Sequence, residues 1–147
     1  MKLDRINCII LEELQNNARV SVKDIAAKAN ISSPTVTERL SKIEEAGIID
    51  SYRANLNMEK IGYSLGVYIS IKIRFGHVER FEKHISEIPE IFECHKLTGH
   101  DCMLMKGYVR DPKHLEELNS NLSIYGELTT SLILSSLVKY KTHVPKG

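Results

Sequence analysis

The sequence predicts an α+β protein with two domains joined by a short linker. Apolar residues recur at helical spacing as far as residue 49, whereas strands and helices alternate beyond Gly62. A polar stretch separates these two patterns. We therefore expect a helical domain over residues 1–50, an extended β hinge over 51–62 and a domain of mixed helices and strands over 63–147.

Three helices account for the first fifty residues. The first is predicted over residues 3–14, with Asp4 as its N-cap, because apolar residues recur there every three or four positions. The second is predicted over residues 22–29, where Ser21 begins a stretch with the spacing of a capping box. Asn30 tolerates the left-handed conformation, so the chain is expected to turn sharply after the second helix.

The stretch NISSPTVTERL, at residues 30–40, is predicted to open the third helix rather than to form a loop. Ser32 offers a hydroxyl as the N-cap. Pro34 falls in the first turn of the helix. Backbone N–H groups there have no partner within the helix, so the N–H that proline lacks costs no hydrogen bond. Val36 and Leu40 then begin an apolar stripe along one side of this helix.

Two helices joined by a tight turn, with a third helix packed behind them, form a helix-turn-helix (winged-helix-like) domain. The second helix of that motif presents its exposed face to DNA, where hydroxyls, a lysine and the helix N-terminus can contact phosphates or base edges. The candidate DNA-binding residues are Ser33, Pro34, Thr35, Thr37, Glu38, Arg39, Ser41 and Lys42. The alternative is a three-helix unit that serves only packing or dimerisation.

The C-terminal domain is predicted to have the order β-α-β-β-α-β, which is the ferredoxin-like arrangement. Alternation of apolar and polar residues places a first strand at residues 65–75, with Phe75 on its apolar face. Helical spacing follows over residues 78–88 and 112–122. The remaining strands are predicted at residues 91–97, 102–109 and 129–138.

Composition and charge exclude several classes of protein. The 20 basic and 19 acidic residues leave a formal charge of +1, so any contact with DNA must depend on local features rather than on the net charge. The three cysteines follow no disulfide spacing, and no apolar run is long enough to span a bilayer. Charged residues interrupt the N-terminal region, which does not resemble a signal peptide. We expect a cytoplasmic protein with free thiols.

A cluster of potential metal ligands lies between residues 94 and 102: Cys94, His95, His100, Asp101 and Cys102. The spacing matches no zinc finger, and neighbouring residues of a strand point to opposite faces. A catalytic Cys-His site would also need a base, an orienting group and an oxyanion hole, and the sequence offers no convincing set. We predict neither an enzyme nor a resident cofactor, with a metal-sensing regulator as an alternative.

The turn at residues 98–101 and the run GELTTS at residues 126–131 suggest a site for a small ligand. Gly99 allows a ligand to approach the backbone closely, and Asp101 can pair with an ammonium group. The hydroxyls and amides of the run suit a carboxylate. The same residues can instead be structural, because threonine and serine side chains in strands usually are.

Two parts of the chain resemble a known family. The string LDRINCIILEELQNNARVSVKDIAAKANISSPTVTERLSKIEEAGII resembles the N-terminal helix-turn-helix of the Lrp/AsnC transcription factors, and TGHDCMLMKGYV with YGELTTSLILSS resembles their C-terminal regulatory domain. The resemblance implies a dimeric regulator whose third helix enters the major groove and whose ferredoxin-like domain makes dimers and commonly octamers. It also implies an amino acid bound between subunits near residues 98–101.

These observations predict a sequence-specific DNA-binding transcriptional regulator that responds to an amino acid bound between subunits. The expected partners are double-stranded DNA, further copies of the chain in a homodimer or an octamer, and an amino-acid effector, but no membrane. The alternative is a small-molecule-binding assembly protein that does not bind DNA. The candidate effector-binding residues are Thr98, Gly99, His100, Asp101, Gly126, Thr129, Thr130 and Ser131.

Overall fold

The computed structural model describes residues 3–99 and 103–143 of the chain. The chain divides into two compact units, one formed by Met1–Asn55 with Val138–Gly147 and the other by Leu56–Leu137. The sequence pattern predicts the last residues to belong to the C-terminal domain instead. The structure groups them with the first unit because Thr142 and His143 are hydrogen-bonded to its first helix.

Three helices form the first unit. They are α1 at Arg5–Asn16, α2 at Val22–Ala29 and α3 at Ser33–Glu45. Each follows a side-chain N-cap that accepts a hydrogen bond from the backbone N–H three residues later, and these caps are Asp4, Ser21 and Ser32. The predicted caps are therefore confirmed.

A tight turn sets α3 against α2. Asn30 adopts the left-handed conformation, with φ at 54°, and the Ile31 N–H donates to the carbonyl oxygen of Ala26 at 3.1 Å, which closes the end of α2. The three helices share an apolar core whose most deeply buried members are Ile10, Ile25, Val36 and Ile43. Because Val36 and Ile43 of α3 are buried in this core, the opposite face of α3 is exposed to solvent.

The end of the described chain packs on α1. The Gln15 side chain holds both polar backbone groups of one residue: its amide nitrogen donates to the His143 carbonyl oxygen, and its amide oxygen accepts from the His143 N–H, each at 2.8 Å. The Thr142 hydroxyl donates to Asn16 Oδ1 at 2.7 Å. These contacts attach a late segment of the chain to the helical unit.

The segment after α3 differs from the predicted β hinge. Residues 51–62 contain no strand; irregular backbone leads to a single 3-10 turn at Glu59–Ile61, which Gly62 closes with φ at 94°. A strand needs a neighbouring strand to hydrogen-bond with, and this segment pairs with none in the described chain.

The second unit is an antiparallel sheet with two helices. In chain order its elements are β1 at Leu65–Ile73, α4 at Val78–Ile85, β2 at Ile91–Lys96, β3 at Met103–Val109, α5 at Pro112–Ser123 and β4 at Gly126–Leu132. The strands lie in the order β2-β3-β1-β4, and all neighbours are antiparallel. The predicted ferredoxin-like order is therefore confirmed. Among the described residues, no helix is both long enough and apolar enough to cross a membrane.

The two helices cover one face of the sheet. Val67, Ile69 and Ile71 alternate along β1, are fully buried, and share one core with Phe81 of α4 and Leu122 of α5. The residues between them on β1 face the other side and are half-buried or exposed. The sheet therefore has one covered face and one open face.

Two strand limits differ from the prediction. β1 ends at Ile73, so Phe75 lies outside the strand and is fully exposed rather than on the buried face. Gly76 turns the chain directly afterwards, with φ at 82°. β4 lies at Gly126–Leu132 rather than at residues 129–138, because its pairing with β1 runs over those earlier residues only. Strand length depends on the pairing partner, which the pattern within one segment does not reveal.

Phe81→Ala should destabilise the second unit by about 3–5 kcal/mol, because it leaves a cavity where the ring is fully buried. The matched change Phe75→Ala should alter the free energy of unfolding by less than about 0.5 kcal/mol, since that ring is fully exposed. Urea unfolding followed by circular dichroism measures both changes. Equal losses for the two variants would contradict the assigned core.

Candidate functional site

The candidate DNA-contacting residues lie on α3, whose start is fixed by its N-cap. The Ser32 hydroxyl accepts from the Thr35 N–H at 3.3 Å and lies 2.7 Å from the Thr35 hydroxyl. Val36 and Ile43 are buried on the inner side. The outer side carries Ser33, Pro34, Thr37, Glu38, Ser41 and Lys42, all of them exposed. These six predicted residues therefore share one face.

Arg39, also predicted to contact DNA, is directed towards α1. Its Nη1 donates to Asp4 Oδ2 at 2.6 Å and to Asn7 Oδ1 at 3.0 Å. Asp4 is also the N-cap of α1, and hydrogen bonds from the Asn7 N–H and the Arg39 guanidinium hold the pKa of its carboxyl below the usual range. Arg39 therefore positions α3 against the first turn of α1.

The polar groups on the outer face of α3 have partners on the same helix. The hydroxyls of Thr37 and Ser41 donate to neighbouring oxygens at 3.1 and 2.9 Å. Lys42 Nζ donates to Glu38 Oε1 at 2.6 Å, and this hydrogen bond lowers the pKa of the Glu38 carboxyl. Exposed pairs of this kind contribute little to stability, so a ligand can replace them at small cost. α3 thus presents a polar face on which the lysine is paired with a carboxylate.

Other lysine and arginine side chains of the first unit make no ion pair with a described residue: Arg5, Arg19, Lys23, Arg53, Lys139 and Lys141. Lys23 is exposed in the first turn of α2, where the helix N-terminus itself favours anions. The first helix of a helix-turn-helix crosses the DNA backbone. Lys23 is therefore a candidate phosphate contact that the sequence analysis missed, although its place two residues after the Ser21 cap is visible in the sequence.

Tyr52 attaches the start of the linker to α3. Its hydroxyl donates to Glu44 Oε1 at 2.9 Å. Partial burial and this carboxylate raise the pKa of Tyr52 to about 12, so the phenol remains a hydrogen-bond donor at neutral pH. The chain that leaves α3 is therefore held close to the end of that helix.

The structure describes part of the turn predicted to bind an effector. Thr98 and Gly99 follow β2 and are exposed, and Gly99 has φ at 109°, a conformation that favours glycine. A Cβ added at Gly99 would meet no described atom within 4 Å. His100 and Asp101 lie outside the described residues. The described half of the turn leaves space for a ligand.

The candidate effector residues of β4 divide between the two faces of the sheet. The Thr130 hydroxyl donates to Asn119 of α5 at 2.9 Å, on the face covered by helices. Thr129 and Ser131 alternate with Thr130 and are exposed on the open face. A ligand on the open face would meet these two hydroxyls and not that of Thr130.

Gly126 has a structural role in the sheet, where β4 packs closely against β1. An added Cβ would lie 2.1 Å from the carbonyl oxygen of Lys72, so glycine allows β4 to approach β1 at this point. β1 also separates β4 from β3, which places β4 about 10 Å from the strand that follows the turn. The described residues of the turn, Thr98 and Gly99, are therefore not brought together with those of β4 within one chain.

The candidate metal ligands of β2 point in different directions. Cys94 packs against the core, and burial, with a smaller contribution from Glu82, raises the pKa of its thiol. His95 is exposed beside Glu93, at 3.5 Å. Among the residues that the structure describes, no three His, Cys, Asp or Glu side chains are grouped to hold a metal ion. His100 and Cys102 fall outside those residues.

Two family descriptions match the chain. Residues 66–142 match the Lrp/AsnC ligand binding domain. Residues 3–50 match a winged helix-turn-helix DNA-binding domain. Together the two matches account for most of the sequence.

Curated relatives of the chain are transcriptional regulators. The HTH-type transcriptional regulator LrpC of Bacillus subtilis is 30% identical, over 93% of this chain and 95% of its own length. The HTH-type transcriptional regulator FL11 of Pyrococcus horikoshii is 30% identical, over 96% of this chain and 91% of its own. Neither is named as an enzyme.

Solved structures of regulators share the fold. Bacillus subtilis LrpC gives a TM-score of 0.89 at 30% identity, covering 94% of this chain and 99% of that one. The regulator NMB0573 of Neisseria meningitidis, solved as a complex with L-methionine, gives a TM-score of 0.89 at 26% identity, covering 97% and 96% of the two chains.

The pairing of Asp4 with Arg39 predicts how stability depends on pH. Because the folded-state pKa of Asp4 lies below its ordinary value of 3.8, the pairing stabilises the first unit above that pH, and this stabilisation is lost as the pH falls through the lowered value. Asp4→Asn keeps an oxygen for the N-cap but removes the charge. When the pH is lowered from about 5 to about 2, the melting temperature of the Asp4→Asn variant should therefore fall less than that of the unchanged protein.

Thermal unfolding followed by circular dichroism at a series of pH values measures this difference. Asp50→Asn is the control, because Asp50 is exposed and pairs with no cation in the described chain. That variant should follow the pH dependence of the unchanged protein. If Asp4→Asn follows it too, the ion pair does not stabilise the unit.

Proposed function

Because the chain belongs to the Lrp/AsnC family of transcriptional regulators, we propose that it binds specific sequences of double-stranded DNA through α3 and that an amino acid controls this binding. The family consists of regulators rather than enzymes. The observation that carries the proposal is the exposed polar face of α3, in a unit that matches a winged helix-turn-helix DNA-binding domain. As a DNA-binding regulator the protein would act in the cytoplasm.

In this proposal α3 enters the major groove with its N-terminal half leading. The hydroxyls of Ser33, Thr37 and Ser41 can donate to or accept from base edges after exchanging their bonds on the helix. Lys23 and the N-terminus of α2 contact the phosphate backbone, which sets the orientation of α3. In this arrangement α3 would recognise the base sequence, and α2 would position the protein on the DNA backbone.

The pairing of cations limits what one subunit can bind. Each phosphate neutralised contributes about one unit to the slope of log affinity against log salt. Both cations of α3, Arg39 and Lys42, pair with carboxylates, so this helix carries no unpaired cation for phosphates. We propose that a homodimer, and an octamer built from it, supplies the remaining affinity by holding several α3 helices at high effective concentration.

The open face of the sheet supports such assembly. Tyr68 is 40% exposed and Phe92 is 53% exposed, and the Phe92 ring packs edge-on against Tyr108 with centroids 5.5 Å apart. Leu104 lies on the same face of β3. An uncovered face with large apolar side chains is typical of an interface between proteins. We propose that a second copy of the chain covers it.

An amino acid is the effector class that we propose. The Neisseria meningitidis regulator, which is similar in fold, was solved with L-methionine. The ammonium group of an amino acid suits the Asp101 carboxylate, and its carboxylate suits the Thr129 and Ser131 hydroxyls. Because the turn and β4 lie apart within one chain, the site would combine groups from two subunits. An amino acid bound there would favour one assembly and so alter DNA affinity by linkage.

Gel-shift titration of the full chain on DNA upstream of its own gene tests the proposal. At low salt we expect binding, and we expect at least one amino acid to change the apparent affinity by about fivefold or more. Absence of binding to any promoter DNA at low salt would overturn the regulator function. Binding that no amino acid alters would overturn the effector and leave the DNA function standing.

Lys23→Ala should reduce the slope of log affinity against log salt by about one and weaken binding to all sequences alike, because it removes one phosphate contact. Lys28→Ala is the matched control, since Lys28 lies in the last turn of the same helix, away from its N-terminus, and its Nζ contacts Glu13 Oε1 at 2.5 Å. Fluorescence anisotropy at several salt concentrations measures both slopes. If both variants keep the slope of the unchanged protein, Lys23 does not contact a phosphate.

A further inference from the structure

The outer face of α3 has two long polar side chains at its centre, Glu38 and Lys42. They lie one helical turn apart, are 68% and 61% exposed, and are joined by the 2.6 Å contact between Lys42 Nζ and Glu38 Oε1. Val36 and Ile43 are buried on the opposite side of the helix. The pair therefore extends away from the core, on the face that would meet the major groove.

Other long polar side chains of α3 are committed elsewhere. Arg39 is bonded to Asp4 and Asn7 of α1, and Glu44 accepts from the Tyr52 hydroxyl. The hydroxyls of Ser33, Thr37 and Ser41 are short, and at helical spacing they lie together on one side of the pair. Glu45 is a third long side chain on this face, but it lies at the C-terminal end of α3 and accepts from the Ser41 hydroxyl. Glu38 and Lys42 are thus the long polar side chains nearest the middle of the helix on this face.

A carboxylate on a recognition helix would be expected to weaken DNA binding, because phosphates flank the groove. In this protein Lys42 compensates the charge of Glu38, so the two side chains together add no net charge to the face. The hydrogen bond from Lys42 also keeps Glu38 ionised and therefore an acceptor. The pair presents an acceptor directly beside a donor.

This pattern complements one base pair better than the others. In the major groove cytosine presents the N4 amino group, a donor, and its paired guanine presents O6 and N7, which are acceptors. Guanine and thymine present no donor there, and adenine places the N7 acceptor beside its amino group, where it repels a second carboxylate oxygen. We propose that Glu38 accepts from the N4 amino group of a cytosine and that Lys42 donates to its paired guanine, so that together they specify a C·G pair in the operator.

This inference rests on the proposed DNA-binding function, and selection from a random duplex library with the full chain separates the two. The unchanged protein should select cytosine at one position of each half-site. Glu38→Gln should lose that preference and accept adenine there, since a glutamine amide pairs with adenine N6 and N7. The shift in relative affinity for cytosine over adenine should be about tenfold or more, with other positions unchanged.

A modified base tests the contact itself. N4-methylcytosine still pairs with guanine but lacks the major-groove donor, so it should weaken binding of the unchanged protein about tenfold. Glu38→Ala should bind the modified and unmodified duplexes equally. Glu45→Gln is the matched control on the same helix, because Glu45 accepts from Ser41 near the C-terminal end of α3; this variant should retain the full loss.

The outcomes distinguish the inference from the function. If Glu38→Gln and Glu38→Ala strengthen binding to every sequence equally, Glu38 only repels phosphates and the inference is wrong, while DNA binding stands. The inference is also wrong if N4-methylcytosine has no effect on the unchanged protein at any selected cytosine. If the full chain selects no sequence at all, the proposed function fails and the base contact fails with it.

Discussion

Contact between the Arg39 guanidinium and the first turn of α1 fixes α3 before any DNA is present. A single side chain meets both the cap of α1, Asp4, and the buried Asn7, so the start of one helix determines the position of another. Preorganisation of this kind lowers the entropy that binding must overcome. It also directs a positive charge away from the outer face of α3, where hydroxyls and one compensated ion pair remain.

The second unit is organised by a different constraint, the one-sided covering of its sheet. Both helices pack on the face that carries Val67, Ile69 and Ile71, and the other face keeps aromatic and aliphatic side chains near solvent. Thr129 and Ser131 lie on that open face, and β3 and β1 separate their strand from β2, which Thr98 and Gly99 follow. One chain therefore keeps these hydroxyls apart from Thr98 and Gly99, and it leaves this face of its sheet uncovered.

The features that the sequence predicted well are those that act over a few residues. A cap bonds to a group three positions away, so Ser21 and Ser32 mark their helices without knowledge of the fold. The order of strands and helices also predicted the topology, because few arrangements accommodate it. The predicted strand limit failed where a distant segment decides, because Phe75 lies beyond the residues of β1 that pair with a neighbouring strand. The contact of Arg39 with a carboxylate 35 positions earlier is equally invisible in the local pattern, and a role of Arg39 at DNA stays a prediction.

Gln15 holds the late chain segment through main-chain atoms of residue 143 and not through the histidine ring. Every amino acid except proline offers the same N–H and carbonyl groups. This contact therefore places almost no selective pressure on the identity of residue 143, whereas position 15 must supply both an acceptor and a donor on a side chain of suitable length. The two sides of one contact are free to evolve at very different rates.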